Sequence, residues 1–242
     1  MISVVIPTLN EADRLPRLLA ALKAESPLPE IIVADGGSDD DSVAVARGHG
    51  VLVVRSGGGR GRQIRDAMHH AAGDVVLFLH ADSEFPPGGL RRIERRLAAA
   101  PEVVGGNFRL LFDGDDGFSR WLDGFYAWIR GHGFYYGDSA PFVRRDAYDT
   151  IGGMRPLALM EDYDFNRRME RYGATCCLDE PPMRTSSRRF AGRHAVAIVA
   201  GWLLIHALFH LGVSDRWLAR IYDSARRRTP RTGPRRVTSA GR

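Results

Sequence analysis

The feature that most constrains this chain is the run Val75, Val76, Leu77, Phe78 and Leu79, followed at once by His80, Ala81, Asp82 and Ser83. Gly73 and Asp74 precede it, and Pro86, Pro87, Gly88 and Gly89 follow. An uninterrupted apolar run between turn formers reads as a buried strand, here one whose carboxyl end stops at a carboxylate. In an open α/β sheet, ligands bind at that end of the strands. An acceptor-only charged group at the rim of an apolar strand needs water, a cation or a donor. Asp82 is therefore expected to hold a divalent metal that carries a diphosphate.

The preceding segments alternate between short apolar runs and helical periodicity. Residues 2–6 form a strand that ends at the turn Pro7-Thr8-Leu9-Asn10-Glu11. Leu15, Leu18, Leu19 and Leu22 then recur at helical spacing, with Asp13 as the expected cap and Pro16 in the first turn. Residues 31–34 form a second strand, ending at Asp35-Gly36-Gly37-Ser38, and the helix of about residues 41–47 is stopped by Gly48 and Gly50. A strand at 51–54 leads to a glycine-rich loop, 56–62, which opens a helix carrying Ile64, Ala67, Met68 and Ala71. After the strand at 75–79, Leu90, Ile93 and Leu97 mark another helix. Units of this kind joined by short loops imply a doubly wound, mostly parallel α/β sheet of nucleotide-binding type.

After Pro101 the pattern changes. Residues 107–112 alternate as a strand, and Phe118, Trp121, Leu122, Phe125, Trp128 and Ile129 mark an aromatic helix. The Gly-flanked segment 131–138 reads as a mobile loop leading to Phe142 and Val143. Glu161, Asp162 and Asp164 open a helix through about Tyr172, at the end where the macrodipole favours negative charge. Residues 195–213 are mostly apolar and would make a helix of about 28 Å, near the hydrocarbon thickness of a bilayer. His206 and His210 on one face weaken a spanning reading. Trp217, Leu218, Ile221 and Tyr222 beside Arg216 and Arg220 read as an interfacial amphipathic segment.

Charge sharpens this division. From Ser214 onward nine arginines stand against two aspartates, a surplus that exceeds the net +5 of the whole chain, so the remainder is near neutral. A basic tail attracts phosphate, whether on lipid or on nucleic acid. The expected organisation is an α/β domain over residues 1–194, an apolar and amphipathic helical segment over 195–228, open to membrane association, and a disordered basic tail over 229–242. The start of the chain carries no leader pattern, so the domain is expected to face the cytosol. Adjacent Cys176 and Cys177 read as two reduced thiols.

Four motifs then combine: Val5-Ile6-Pro7-Thr8-Leu9-Asn10-Glu11, Asp35-Gly36-Gly37-Ser38, His80-Ala81-Asp82 and, about eighty residues later, Glu161-Asp162. In this order and spacing, residues 1–190 resemble the family 2 glycosyltransferases of GT-A fold, of the short single-domain bacterial type. The resemblance implies an inverting transferase that moves a single sugar from a nucleotide-diphosphate sugar, a UDP-sugar first of all, to a small or lipophilic acceptor hydroxyl or carboxyl. It places Asp82 on Mg²⁺ or Mn²⁺, with His80 and Ala81 beside it in the donor site. Asp35 accepts a hydrogen bond from a uracil imide, and Pro7, Thr8, Asn10 and Glu11 line the nucleotide pocket. Asp162 takes the role of the base that deprotonates the acceptor, with Glu161 as its neighbour.

Further candidates come from the residues themselves. Arg60, Gly61 and Arg62 can approach phosphates by backbone and side chain. Arg188 and Arg189 read equally as a diphosphate clamp or a solvated pair, and Tyr135, Tyr136 and Asp138 are the acceptor-binding candidates. Two positions depart from the family pattern: His80 stands for the first Asp of D-x-D, and Gly36 for the second Asp of D-D-G-S. Ser186-Ser187-Arg188-Arg189-Phe190 resembles the Q-x-x-R-W motif of processive synthases without its Gln, which points to single transfer.

The apolar run and basic tail favour an acceptor at an anionic membrane surface, with the protein peripheral to the inner face of the cell membrane, and nucleic acid is not expected as a partner. Two other readings stay open here. A metal-dependent nucleotidyltransferase usually needs a basic glycine-rich loop where this chain has Pro7-Thr8-Leu9-Asn10. A non-catalytic binding protein would act through the Arg-rich tail. No G-x-G-x-x-G follows the first strand, which disfavours a dinucleotide-dependent dehydrogenase.

Overall fold

A computed structural model describes residues 1–186 and 195–227, and the chain divides into two compact units, Met1–Ser187 and Arg188–Arg242. The first unit opens with β1 (Ile2–Thr8), α1 (Leu15–Lys23), β2 (Glu30–Asp35), α2 (Ser42–Gly48), β3 (Leu52–Arg55), α3 (Arg60–Met68) and β4 (Val75–Phe78). It continues through α4 (Gly89–Ala99), β5 (Val103–Phe112), α5 (Gly117–Gly131), a one-turn 3-10 helix (Gly137–Ser139) and β6 (Phe142–Arg144). α6 (Arg145–Thr150), α7 (Glu161–Tyr172) and β7 (Ala174–Thr185) complete it. One seven-stranded sheet results, in the order β3-β2-β1-β4-β6-β5-β7. All pairings are parallel except those of β6, which runs antiparallel to both β4 and β5.

Strand direction explains the layering. The chain steps from β1 to β2 to β3 in one sense and from β3 back to β4 in the other, so right-handed crossovers put α1 and α2 on one face and α3 on the opposite one. On the α3 face, Val5, Ile32, Val76 and Phe78 meet Ile64, Ala67 and Met68 of α3 and Phe165 and Met169 of α7 in one cluster. Alternation turns Val4, Ile6 and Leu77 to the other side, and all three are fully buried. Glu25, just after α1, accepts the Gly88 and Leu90 N–H groups at 2.7 and 3.1 Å and so ties the start of α4 to the end of α1.

Three features differ from the sequence reading. Asp13 does not cap α1: Arg14 occupies the N-cap without a side-chain cap bond, because the Arg14 and Leu15 N–H groups are taken by the Glu11 carbonyl at 3.0 and 2.9 Å. The strand expected from residue 107 starts at Val103. α6 and the 12-residue β7 were not anticipated at all. β7 carries Asp179, Glu180, Pro181 and Pro182, which hide its alternation, and it tolerates proline because it is an edge strand.

The second unit contains α8 (Ala195–His210) and α9 (Asp215–Arg227), which pack on each other. α8 is apolar on nearly every side, but its 16 residues span only about 24 Å. No helix among the described residues is long and apolar enough to cross a membrane. In α9 the Arg220 guanidinium lies 5.1 Å over the exposed Trp217 ring. Arg188, Arg189 and the expected tail at 229–242 lie outside the described residues.

Candidate active site

Two groups of side chains gather at the carboxyl ends of the parallel strands. The first surrounds the ends of β1 and β2. Asp35, 1% exposed, closes β2 and accepts the Gly37 N–H at 3.1 Å and the Ser38 N–H at 3.3 Å. Asn10 has the left-handed φ of 55°. Its N–H donates to Ser38 Oγ at 3.0 Å, and its Oδ1 accepts from the Asp39 N–H at 2.9 Å. The Glu11 and Ala12 N–H groups donate to Ser42 Oγ and Asp40 Oδ2. The turn after β1 is thus laced to the turn after β2. Pro7 and Thr8 are buried strand residues, leaving mainly their backbone at this rim.

Gln63, which the sequence reading passed over, completes this group. Its Nε2 donates to the carbonyls of Thr8 at 3.0 Å and Ala34 at 3.1 Å, joining the ends of β1 and β2 from below. The signal was a polar residue inside the apolar stripe of α3, and Gln63 is buried. It also explains the missing acid of the D-D-G-S motif. A Cβ at Gly36 would stand 2.4 Å from Gln63 Nε2, so the amide fills the space a side chain there would need.

The second group lies around the end of β4. Arg60, the first residue of α3, donates through Nε to Glu161 Oε1 at 2.8 Å and brings Nη1 to 3.4 Å from His80 Nε2. Arg60 and Gln63 are one turn apart, so the start of α3 links the two groups. Asp162 Oδ2 accepts the Gly137 N–H at 2.8 Å, while its Oδ1 accepts its neighbour's Tyr163 N–H at 2.7 Å. A Cβ on Gly137 would lie 2.8 Å from His80 Nε2 and 3.2 Å from Asp162 Oδ2. The bare Gly137 backbone is therefore what lets His80 and Asp162 approach.

Electrostatics separates the roles of these groups. Desolvation and then the adjacent Arg60 charge push the His80 imidazole down to about 4, against the opposing pull of Asp138, Asp82 and Asp162. The ring lies deep although part of its surface stays accessible, and it is neutral near pH 7. Burial raises the Glu161 carboxyl; Arg60 opposes that shift and the Asp162 charge adds to it. Glu161 is 2% exposed, whereas Asp162 is only half-buried. Burial, then Asp162, also raises the Tyr136 phenol, whose ring stacks on Tyr163 at 6.2 Å. Among the described residues, the non-glycine positions with left-handed φ are Asn10, Ala140 and Met160, and all three flank these groups. Strain of this kind, of order 1–3 kcal/mol each, concentrates at functional sites.

Some expected residues sit elsewhere. Gly61 is buried, and a Cβ there would be 2.4 Å from the Arg155 carbonyl, so it serves close packing of α3 on that segment instead of reaching toward phosphate. Arg62 is exposed and faces Asp66 at 3.6 Å. Tyr135 is 2% exposed, with the Arg130 guanidinium 4.5 Å above its ring, and parts company with Tyr136. Asp138 is buried next to Gly137; Ala81 is buried, and Asp82, which follows Ala81, is half-buried and close enough to act on His80. Among the described residues no group of three or more His, Cys, Asp and Glu side chains is arranged to hold a metal. One carboxylate with a neutral imidazole nearby fits an ion that takes most of its shell from substrate phosphates and water, as Mg²⁺ commonly does.

A doubly wound sheet with both groups at the carboxyl ends of its parallel strands is the arrangement of a nucleotide-binding α/β fold. The family model described as glycosyl transferase family 2 matches residues 3–161, so the chain belongs to that family. The chain is 34% identical over 116 residues to an undecaprenyl-phosphate 4-deoxy-4-formamido-L-arabinose transferase of Sodalis glossinidius, covering 43% of this chain and 36% of that protein. It is 32% identical over 109 residues to an uncharacterised glycosyltransferase of Mycobacterium bovis, covering 45% and 49%. The match thus spans between a third and a half of these curated relatives. Among solved structures, S. aureus TarS residues 1–349 with UDP-GlcNAc aligns with TM-score 0.63 at 17% identity, over 81% of this chain and 60% of that one. The mannosyltransferase PcManGT of Pyrobaculum calidifontis, with GDP-Man and Mn²⁺, aligns with TM-score 0.62 at 17% identity over 93% and 73%. At that identity the likeness is one of fold.

Proposed function

We propose that this glycosyltransferase moves one sugar from a UDP-sugar, with inversion, to a small or lipid-like acceptor, and that Asp162 is the base. The observation that carries the reading is the contrast between adjacent carboxylates. Glu161 is sequestered and committed to Arg60, while Asp162 keeps accessible surface and is aimed by the Gly137 N–H beside a neutral His80. The acceptor oxygen attacks the anomeric carbon, its proton passes to Asp162, and the bond to the diphosphate breaks with its electron pair on the leaving phosphate oxygen.

Asp82 would hold the divalent cation, Mg²⁺ or Mn²⁺, which supplies neutralisation of the leaving diphosphate. Arg60, held in place by Glu161, adds a guanidinium beside His80. Asp35 satisfies its own loop with the Gly37 and Ser38 N–H groups and retains lone pairs for a uracil imide. Tyr136 and Asp138 remain the acceptor-side candidates. The name of the Sodalis relative, which specifies undecaprenyl phosphate, supports a lipid-like acceptor. Exposed Val196, Leu203, Leu204, Leu211 and Trp217 of the second unit support peripheral association with a membrane surface.

The test is Asp162→Asn. Loss of a general base lowers kcat by about 10²–10⁴-fold, and UDP affinity should stay within twofold of wild type. Retention of the donor's anomeric configuration in the product, read by proton NMR, would reject the inverting assignment.

A further inference from the structure

α4 carries a charge pattern that the donor groups do not use. Its apolar stripe of Leu90, Ile93 and Leu97 is buried, and its outer surface holds Arg91, Arg92, Arg95 and Arg96. Arg91, Arg95 and Arg96 are exposed and Arg92 is partly so. Other arginines of the first unit are engaged: Arg130, Arg155 and Arg168 pair with carboxylates, and Arg144 and Arg145 donate to backbone carbonyls. On α4, Arg96 reaches the Cys176 thiol. Arg91, Arg92 and Arg95 make no side-chain hydrogen bond or ion pair among the described residues.

This arrangement works against the fold. Arg91 with Arg95, and Arg92 with Arg96, stand four residues apart on one helix, the spacing at which like charges repel. Arg91 and Arg92 also lie in the first turn, the end at which the macrodipole disfavours cations. Glu94 is the helix's own acid and pairs with none of the four. Glu25, at the start of the helix, gives its two oxygens to the Gly88 and Leu90 N–H groups. Four cations held outward at a cost in self-repulsion call for a surface of opposite charge. The helix presents no aromatic ring among them on which bases could stack, while clustered arginines on a helix face match a plane of phosphate headgroups.

We propose that the outer face of α4 docks on the anionic headgroups of a lipid bilayer and holds the protein at the surface that contains its acceptor. The docking face stands on the α4 charges; the choice of a bilayer over another polyanion rests on the lipid-like acceptor of the reading above. The contact is electrostatic and so reversible by salt, unlike the apolar contact offered by the second unit.

The experiment sediments the full chain with vesicles of phosphatidylcholine alone and of phosphatidylcholine with phosphatidylglycerol, at about 0.1 M and about 1 M salt. Binding is expected on the anionic vesicles at low salt, at least tenfold weaker in Arg91→Gln/Arg95→Gln, as two basic residues near such a surface supply. Since the substitutions remove a repulsion, the unbound variant is expected to melt no lower than wild type, and to bind UDP equally. Vesicle binding unchanged in the variant assigns it to the second unit and overturns the proposal. So does a variant that melts lower, which makes the arginines structural. Equal weakening by Arg47→Gln/Arg120→Gln, which removes the same charge elsewhere, or α4-dependent binding to duplex DNA tighter than to the vesicles, overturns it as well. UDP binding with vesicle binding indifferent to α4 rejects the docking face and leaves the transferase reading standing. Vesicle binding that depends on α4, without UDP binding, does the reverse.

Discussion

Replacing Arg60 by methionine tests how the second group is held together. Glu161 is 2% exposed and its recorded ion pair is with Arg60, at 2.8 Å, so the substitution leaves a buried carboxylate without that charge partner. Breaking a buried pair from one side costs about 3–5 kcal/mol, and because the Arg60 side chain is 41% exposed the figure is discounted to about 2–3 kcal/mol. For a chain of this size that lowers Tm by roughly 4–12 °C. The pH dependence has a definite sign. Burial already raises the Glu161 carboxyl from its ordinary 4.5, and losing Arg60 raises it further. A carboxyl whose folded value is raised destabilises the fold above that value and ceases to do so below its unfolded one. The gap between variant and wild type therefore closes as pH falls toward about 4.5. In Arg60→Met/Glu161→Gln the buried charge is gone, and most of the lost Tm returns at pH 7. Thermal melts of the three unliganded proteins from pH 4.5 to 8 measure this. A single variant that melts with wild type, or a double variant that recovers nothing, refutes the reasoning.

Two other perturbations probe the first group and the acid limb. Gly36→Asp, which restores the acid common in this motif, should lower stability by about 2 kcal/mol, because it displaces Gln63 from two buried carbonyls. In a Gln63→Ala background the same change should cost less than half as much, and equal costs in both backgrounds would reject the steric account. Asp66 is held below its ordinary 3.8 chiefly by Ser56 Oγ at 2.5 Å, an interaction whose contribution is full above that value and disappears as pH falls below it. Ser56→Ala should thus cost about 1 kcal/mol at pH 7 and nothing near pH 2 in denaturant titrations.

The parallel half of the fold was readable because its strands are continuous apolar runs and its helices carry one clean stripe each. β7 was not readable: its prolines and acids obscure the period, and only the pairing with β5 makes it a strand. Site residues divide along the same line. Asp35, His80 and Asp162 sit at strand or helix ends, where a polar residue against an apolar run stands out in the sequence. Gln63 and Gly137 act through amide and backbone contacts with partners 25 to 55 residues away, so the polar break in the α3 stripe marks Gln63 without naming its partners, and nothing local marks Gly137. Gly61 shows the opposite error, since a glycine-rich loop invites a phosphate reading while the atom that demands the glycine is the Arg155 carbonyl.

The proposed donor site is a metal-assisted nucleotide-sugar site organised by Asp35 and Asp82. The most direct measurement is calorimetric titration with UDP, with Mn²⁺ and with EDTA, on wild type and on Asp82→Ala, with GDP in parallel. UDP is expected to bind only with the metal present, with binding lost in the variant and GDP weaker. Equal UDP binding in EDTA and in Asp82→Ala, or no binding of either nucleotide, would contradict it.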